Sequence, residues 1–130
     1  MADKLQFSLV SPERELYSGM VDQVDIPGTE GDLGIFPKHS PLMAAIRTGL
    51  IGVYHEGVES FYFVQGGFAD VTPDGLTVLA EKAVPLGDVD LPGIHAEIER
   101  IEAKMHELEG DSALGAAQDL DGLRTVAARL

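Results

Sequence analysis

The side chains able to do chemistry in this chain are few and scattered. Its four histidines, His39, His55, His95 and His106, stand far apart, and no HExxH or HxH spacing joins them. No pair of ring nitrogens is therefore set by sequence to hold zinc. His95 and Glu99 lie four apart and could hold a stray ion weakly, but a solvated helix surface is the plainer reading. The serines lack a G-x-S-x-G elbow, so no nucleophile is supported. Gly28, Gly31 and Gly34 recur every third residue, a spacing that suggests a phosphate cradle, yet neither G-x-x-x-x-G-K-[ST] nor G-x-G-x-x-G is present. Glu30 and Asp32 beside them would repel a phosphate, which makes this a structural loop. Glu13 and Glu15 are close in sequence, and in so acidic a chain they read as a solvated turn. Cysteine is absent, which excludes disulfides, thiolate catalysis and cysteine-ligated zinc. The expectation is a protein with no catalytic residues, no metal site and no cofactor.

The elements that would carry a different kind of function are better marked. The stretch Ile26 to Pro41, IPGTEGDLGIFPKHSP, combines the three glycines with Pro27, Pro37, Pro41 and His39. Glycine permits positive φ and close backbone approach, while proline fixes φ and removes a donor. The segment reads as a chain that turns, makes a short strand at Leu33 to Phe36, turns again and presents a fixed surface to a partner.

At 130 residues this is one domain, or one with a small appendage, and 45% hydrophobic residues suffice for a packed core. A net charge of −13 argues against nucleic acid and against anionic lipid surfaces. No stretch approaches the ~18 apolar residues of a membrane span. The opening MADKLQFSLV carries no leader pattern, so the expected place is cytoplasmic.

The chain changes character near Gly87. Before it, short β-rich runs alternate with turns: Leu5 to Val10, Leu16 to Ile26, Ile51 to His55, Val58 to Val64, Phe68 to Val71, Leu76 to Ala80 and Ala83 to Leu86. Glu56-Gly57 and Pro73-Asp74-Gly75 are hairpin turns by composition. Gly66-Gly67 marks a sharp bend or a close backbone approach. This pattern predicts a β-sandwich or barrel of about ten short strands over residues 1–87. Over residues 88–130 the period becomes helical. Asp88 or Asp90 caps a first helix with Pro92 in its first turn, and Ile94, Ile98, Ile101, Met105 and Leu108 form one stripe. Gly110 ends it, and Asp111 or Ser112 caps a second. Leu114, Ala117, Leu120, Leu123, Ala127 and Leu130 make a weaker stripe, interrupted by Gly115 and Gly122 at about 1 kcal/mol each. The fold class is thus mainly β plus α: a sandwich followed by an antiparallel two-helix hairpin.

VSPERELYSG at Val10 to Gly19 and IPGTEGDLGIFPKHSPL at Ile26 to Leu42 closely resemble the epsilon subunit of bacterial F-type ATP synthases, whose mitochondrial counterpart is called delta. QGGFADV at Gln65 to Val71 and VLAEKA at Val78 to Ala83 continue the match in register, and it covers essentially the whole chain. The resemblance implies a non-catalytic subunit that sits with the gamma subunit in the central stalk. Its sandwich would rest on the membrane rotor ring (the c-ring), coupling proton-driven rotation to the catalytic hexamer of alpha and beta subunits. It would be a peripheral protein, not inserted in the bilayer, on the cytoplasmic face of the bacterial inner membrane. By position, the ring-facing contacts would be Ser11, Asp32, His39, Leu42, Met43 and Ala44. The gamma-facing surface would be the apolar face of another strand group.

This sequence departs from parts of that family. Some relatives bind ATP through an [IL]-D-x-x-R-A pattern, where this chain has Val89-Asp90-Leu91-Pro92-Gly93-Ile94. Asp90 is kept and Gly93 takes the arginine position. Glu81 and Arg100 could still stand near such a degenerate nucleotide site, but its anchoring cation is missing, which implies weak or absent ATP binding. Other relatives insert a basic second helix into the catalytic hexamer. Here Arg124 and Arg129 face Asp111, Asp119 and Asp121, so strong inhibition of hydrolysis is not expected. Outside this family, a carbohydrate-binding sandwich would use aromatic platforms, and tryptophan is absent while Phe61, Tyr62 and Phe63 alternate across a strand. A cupin-type enzyme would need a histidine cluster.

Overall fold

The computed structural model describes residues 3–130. Eight strands come first: β1 Leu5–Val10, β2 Glu15–Val21, β3 Gln23–Gly28, β4 Gly31–Ile35, β5 Leu42–Ala45, β6 Gly49–His55, β7 Val58–Val71 and β8 Gly75–Pro85. They form one hydrogen-bonded sheet in the order β2-β1-β8-β7-β6-β3-β4, with β5 also paired to β7. The sheet folds over on itself along a line that crosses β7 and β8. There Gly66, between the Gln65–Lys82 and Gly67–Ala80 pairs, and Gly67 take φ of 73° and 128°. A Cβ on Gly67 would stand 2.8 Å from the Ala80 Cα, so glycine alone lets the two strands bend together. One half of β7 and β8 lies with β1, β2 and β5, and the other half with β6, β3 and β4. The runs Val58 to Val64 and Phe68 to Val71, separate in the sequence reading, are two halves of β7. Leu76 to Ala80 and Ala83 to Pro85 are two halves of β8, which ends one residue before Leu86. Conversely, the run from Leu16 to Ile26 divides at Asp22 into β2 and β3.

The inner faces of the two layers meet in one core. Leu5, Phe7 and Leu9 from one layer are fully buried in the same cluster as Val24, Ile26, Ile51 and Val53 from the other. Each such side chain contributes about 1.5–3 kcal/mol on burial. Both expected hairpin turns form. Glu56 and Gly57 take φ of 51° and 79°, the double positive φ of a type I′ turn, and Thr72 to Gly75 joins β7 to β8. Asp22 ties the β6–β7 turn to the chain's beginning: its carboxylate accepts from Lys4 Nζ at 2.5 Å and from the Glu56 backbone N–H at 2.7 Å. These donors hold the Asp22 carboxyl below its usual value.

Two helices follow a short 3₁₀ turn at Leu86–Asp88: α1 Leu91–Lys104 and α2 Asp111–Arg129. Asp90 occupies the N-cap of α1 in extended conformation, although its side chain makes no capping bond. The first helix stops short of the expected Gly110. After Lys104 the chain tightens into a 3₁₀ turn at Met105–Glu107, and Leu108 is extended. Gly110, at φ 61°, is the N-cap of α2, and Asp111 lies within its first turn, near the positive helix end.

The hairpin is folded back on the sandwich. Leu50, Phe63 and Val84 make a cross-strand row on the outer face of β6, β7 and β8, and this row packs with Ile94, Ile98, Leu123 and Val126 in a second cluster. Tyr62 points the other way, into the first core. On α2 the buried positions are Leu120, Gly122, Leu123 and Val126, while Leu114 and Leu130 are exposed. Gly122 is therefore no mere interruption. A Cβ there would lie 2.5 Å from the Thr48 carbonyl carbon and nearer still to its oxygen, so helix and sandwich backbones touch at this point.

Candidate docking surface

The glycine–proline segment forms β3, the Thr29-Glu30 turn, β4 and the turn before β5. Gly28 pairs with Gly31 at the turn, and a Cβ on Gly28 would stand 2.5 Å from the Gly31 carbonyl oxygen. The turn is pinned from behind: Thr29 N–H donates to Ala45 O at 3.0 Å, and Arg47 N–H donates to Pro27 O at 2.8 Å. Beside it opens a groove of about 460 Å³, with Glu30 and Asp32 on one wall and Leu42, Met43 and Ala44 on the other. Met43 is 67% exposed. The result is an apolar floor under an acidic rim.

Asp32 does not stand free. Its carboxylate accepts from Arg47 Nη2 at 3.1 Å, and the same guanidinium reaches Asp121 Oδ2 on α2 through Nη1 at 3.5 Å. Arg47 is largely covered while both aspartates are mostly exposed. A second link joins the loop to the hairpin, because Gln118 Nε2 donates to Thr29 O at 2.8 Å. Thr48, buried next to Arg47, donates from Oγ1 to Asp119 at 2.8 Å. None of these partners is suggested by local sequence. The only available signal is that Arg47 is the single lysine or arginine between Lys38 and Lys82.

Of the six ring-facing positions named from sequence, the groove brings together Asp32, Leu42, Met43 and Ala44. His39 sits on the β4–β5 turn, where its Nδ1 contacts Ser40 O at 2.8 Å and its N–H donates to Phe36 O. That turn is tethered to the β7–β8 turn by the bond from Lys38 N–H to Pro73 O. Ser11 lies elsewhere. It is buried, its hydroxyl donates to Arg14 O at 3.3 Å, and it borders a second groove with Phe68, Leu79 and Glu81.

That second groove belongs to a feature the sequence reading missed. On the outer face of the β1-β2-β5 layer, Ala45, Phe68, Leu79 and Val10 are directly opposite one another across four strands. Phe68 and Leu79 are 59% and 58% exposed. The row is the counterpart of Leu50–Phe63–Val84 on the opposite layer, but among the described residues no element covers it. Strand alternation was the available signal, since Phe68 and Leu79 fall out of phase with buried Ala69, Val71, Val78 and Ala80.

Asp90 lines a cleft of about 330 Å³ between α1 and the β7–β8 pair, together with Lys82, Asp88, Gly93 and Glu97. Glu97 accepts from Gln65 Nε2 at 3.3 Å and pairs with Arg100 at 3.6 Å. Arg100 thus turns toward Glu97, and Glu81 borders the neighbouring grooves instead of this one. The Asp90 carboxylate lies over Gly93, where a Cβ would come within 2.5 Å of its Oδ2. Three carboxylates against one lysine give the cleft a net negative charge, which disfavours a polyphosphate.

Among the described residues, no helix is long and apolar enough to cross a membrane. Known proteins resemble this chain throughout its length. The beta-sandwich domain of the ATP synthase delta/epsilon chain matches residues 4–86. An ATP synthase epsilon chain of Maricaulis maris is 46% identical, spanning 98% of this chain and 99% of its own. One of Parvibaculum lavamentivorans is 49% identical, over 95% and 96%. In structure, a chain of the Euglena gracilis mitochondrial ATP synthase superposes with a TM-score of 0.78 at 21% identity, covering 97% of this chain and 81% of that one. A chain from the central stalk and c-ring of the Tetrahymena thermophila mitochondrial enzyme gives 0.63 at 12% identity, over 96% and 97%.

Proposed function

The chain belongs to the ATP synthase delta/epsilon family, non-catalytic central-stalk subunits of the F-type enzyme, and from that premise we propose that its two outer surfaces bind different partners. The groove beside the Thr29-Glu30 turn meets the polar loops of the rotor ring. Its observation in support is the grouping of Asp32 with Leu42, Met43 and Ala44 around one groove, acidic on one side and apolar on the other, a form suited to basic loop residues. His39, on the neighbouring β4–β5 turn, extends this ring-facing set, whereas Ser11 borders the second groove instead. The open row Ala45–Phe68–Leu79–Val10 takes the gamma subunit, since an exposed apolar row of this length calls for a partner. Held by both, the chain turns with the rotor and couples proton-driven rotation to ATP synthesis. It works as a peripheral component at the cytoplasmic face of the bacterial inner membrane.

Residues 1–87 and 88–130 act as separable units, the first for docking and the second for at most weak regulation of ATP hydrolysis through the alpha/beta hexamer. Glu81, Asp90 and Arg100 are the remnant of a nucleotide site, with little affinity left. Charge reversal by Asp32→Lys in the assembled complex tests the ring contact. Weakened association with the ring and lost proton coupling are expected; unchanged values of both would refute it. Phe68→Asp should release the chain from gamma during purification while leaving its own fold intact.

A further inference from the structure

We infer that Arg47 is an exchange point through which the docking loop and the helical hairpin bias each other. One guanidinium serves two carboxylates from distant parts of the chain: Asp32 at 3.1 Å and Asp121 at 3.5 Å. Its Nη1 also donates to Thr48 O at 3.2 Å, the carbonyl against which Gly122 of α2 packs. A cavity of about 260 Å³ has Asp32, Arg47, Gly122 and Thr125 on its walls, so the guanidinium has room to shift from one carboxylate to the other. Asp32 and Asp121 compete for one cation and repel each other. Neutralising Asp32 frees Arg47 for Asp121 and tightens the docked hairpin. A cation supplied to Asp32 from outside does the same. By linkage, a docked hairpin makes Asp32 a better acceptor for that cation by the same factor. The outside half of this cycle rests on the ring-facing reading of Asp32, whereas the exchange inside the chain does not.

The test uses the full chain, which has no native cysteine to interfere with labelling. Spin labels at Ser60→Cys and Glu107→Cys, both exposed positions, report the hairpin's distance from the sandwich through a graded urea series. Asp32→Asn should raise the docked-to-undocked ratio at fixed urea by about two- to fivefold, the range of an exposed ion pair. On an Asp121→Asn background the same change should do nothing, and on Arg47→Gln only the relief of Asp32–Asp121 repulsion should remain. An equal effect of Asp32→Asn in all three backgrounds, or a fall in the ratio, overturns the exchange. Failure of the ring contact is read separately, from the association of Asp32→Lys in the assembled complex.

Discussion

Replacing Gly122 by alanine should loosen the hairpin from the sandwich more than any other one-carbon change in the chain. The added Cβ would meet the Thr48 carbonyl carbon at 2.5 Å and the Thr48 Cβ at 3.1 Å, and both belong to a buried corner that cannot step aside. Overpacking of this kind costs about 1–3 kcal/mol. The same substitution favours the helix once it is undocked, by about 1 kcal/mol. The docked-to-undocked ratio should therefore fall by about 2–4 kcal/mol, roughly 30- to 1,000-fold. Against it stand Leu120, Leu123 and Val126, whose burial on docking supplies about 1.5–3 kcal/mol each as an upper figure. The variant hairpin keeps only part of that stabilisation. The Ser60–Glu107 label pair should show a second, longer population in Gly122→Ala. Gly115→Ala is the control, since nothing lies within 4 Å of its Cβ. It should steady the helix without altering the distance. If the two variants gave the same distances and the same urea midpoints, the close approach at Thr48 would not hold the hairpin as argued.

Isothermal calorimetry with ATP should give no micromolar binding, because the cleft sets Asp88, Asp90 and Glu97 against Lys82 alone. A chain ending at Asp88, assembled with its partners, should leave ATP hydrolysis nearly unchanged; a several-fold rise would restore a strong inhibitory role to the hairpin. The depressed Asp22 carboxyl favours the folded state above its unfolded value, near 3.8, and that contribution disappears as pH falls through the lower folded value. Melting temperature followed from pH 5 downward should fall less steeply in Asp22→Asn than in the parent, and identical slopes would show that Lys4 and the Glu56 N–H do not act on this group.

Much of the sandwich was legible because its signals are local. Glu56-Gly57 states its own turn, and alternation along Leu5 to Val10 names the buried side of a strand. The stripe of Ile94, Ile98 and Ile101 likewise marks the face of α1 that packs. What stayed hidden depends on neighbours far along the chain. Gly122 looks like a defect in a helix until Thr48 is placed under it. Arg47 and Asp121 are 74 residues apart, and Thr48 and Asp119 are 71. No periodicity carries such a pairing. Gly66-Gly67 was identified as a bend, but a bend within a strand and a break between strands look alike in one dimension. The candidate ring-facing residues came from family resemblance; their grouping in a groove came from long-range pairing, because the Gly28–Ile46 bridge and the bond from Thr29 N–H to Ala45 O set β5 beside the β3–β4 turn.

The passage of β7 and β8 through both layers has a mechanical consequence. In a sandwich of separate sheets, a load applied to one layer reaches the other only through side-chain contacts, which can slide. Here it also travels along two covalent chains laddered together by hydrogen bonds on both sides of the fold line. A torque taken up at the open apolar row, on Phe68 and Leu79, is delivered to the half of the sheet under the hairpin without crossing the core. On that path the load passes through Gly66 and Gly67, whose φ of 73° and 128° make the bend. Stiffening or softening that pair would change how much the body twists under load while leaving every docking residue in place.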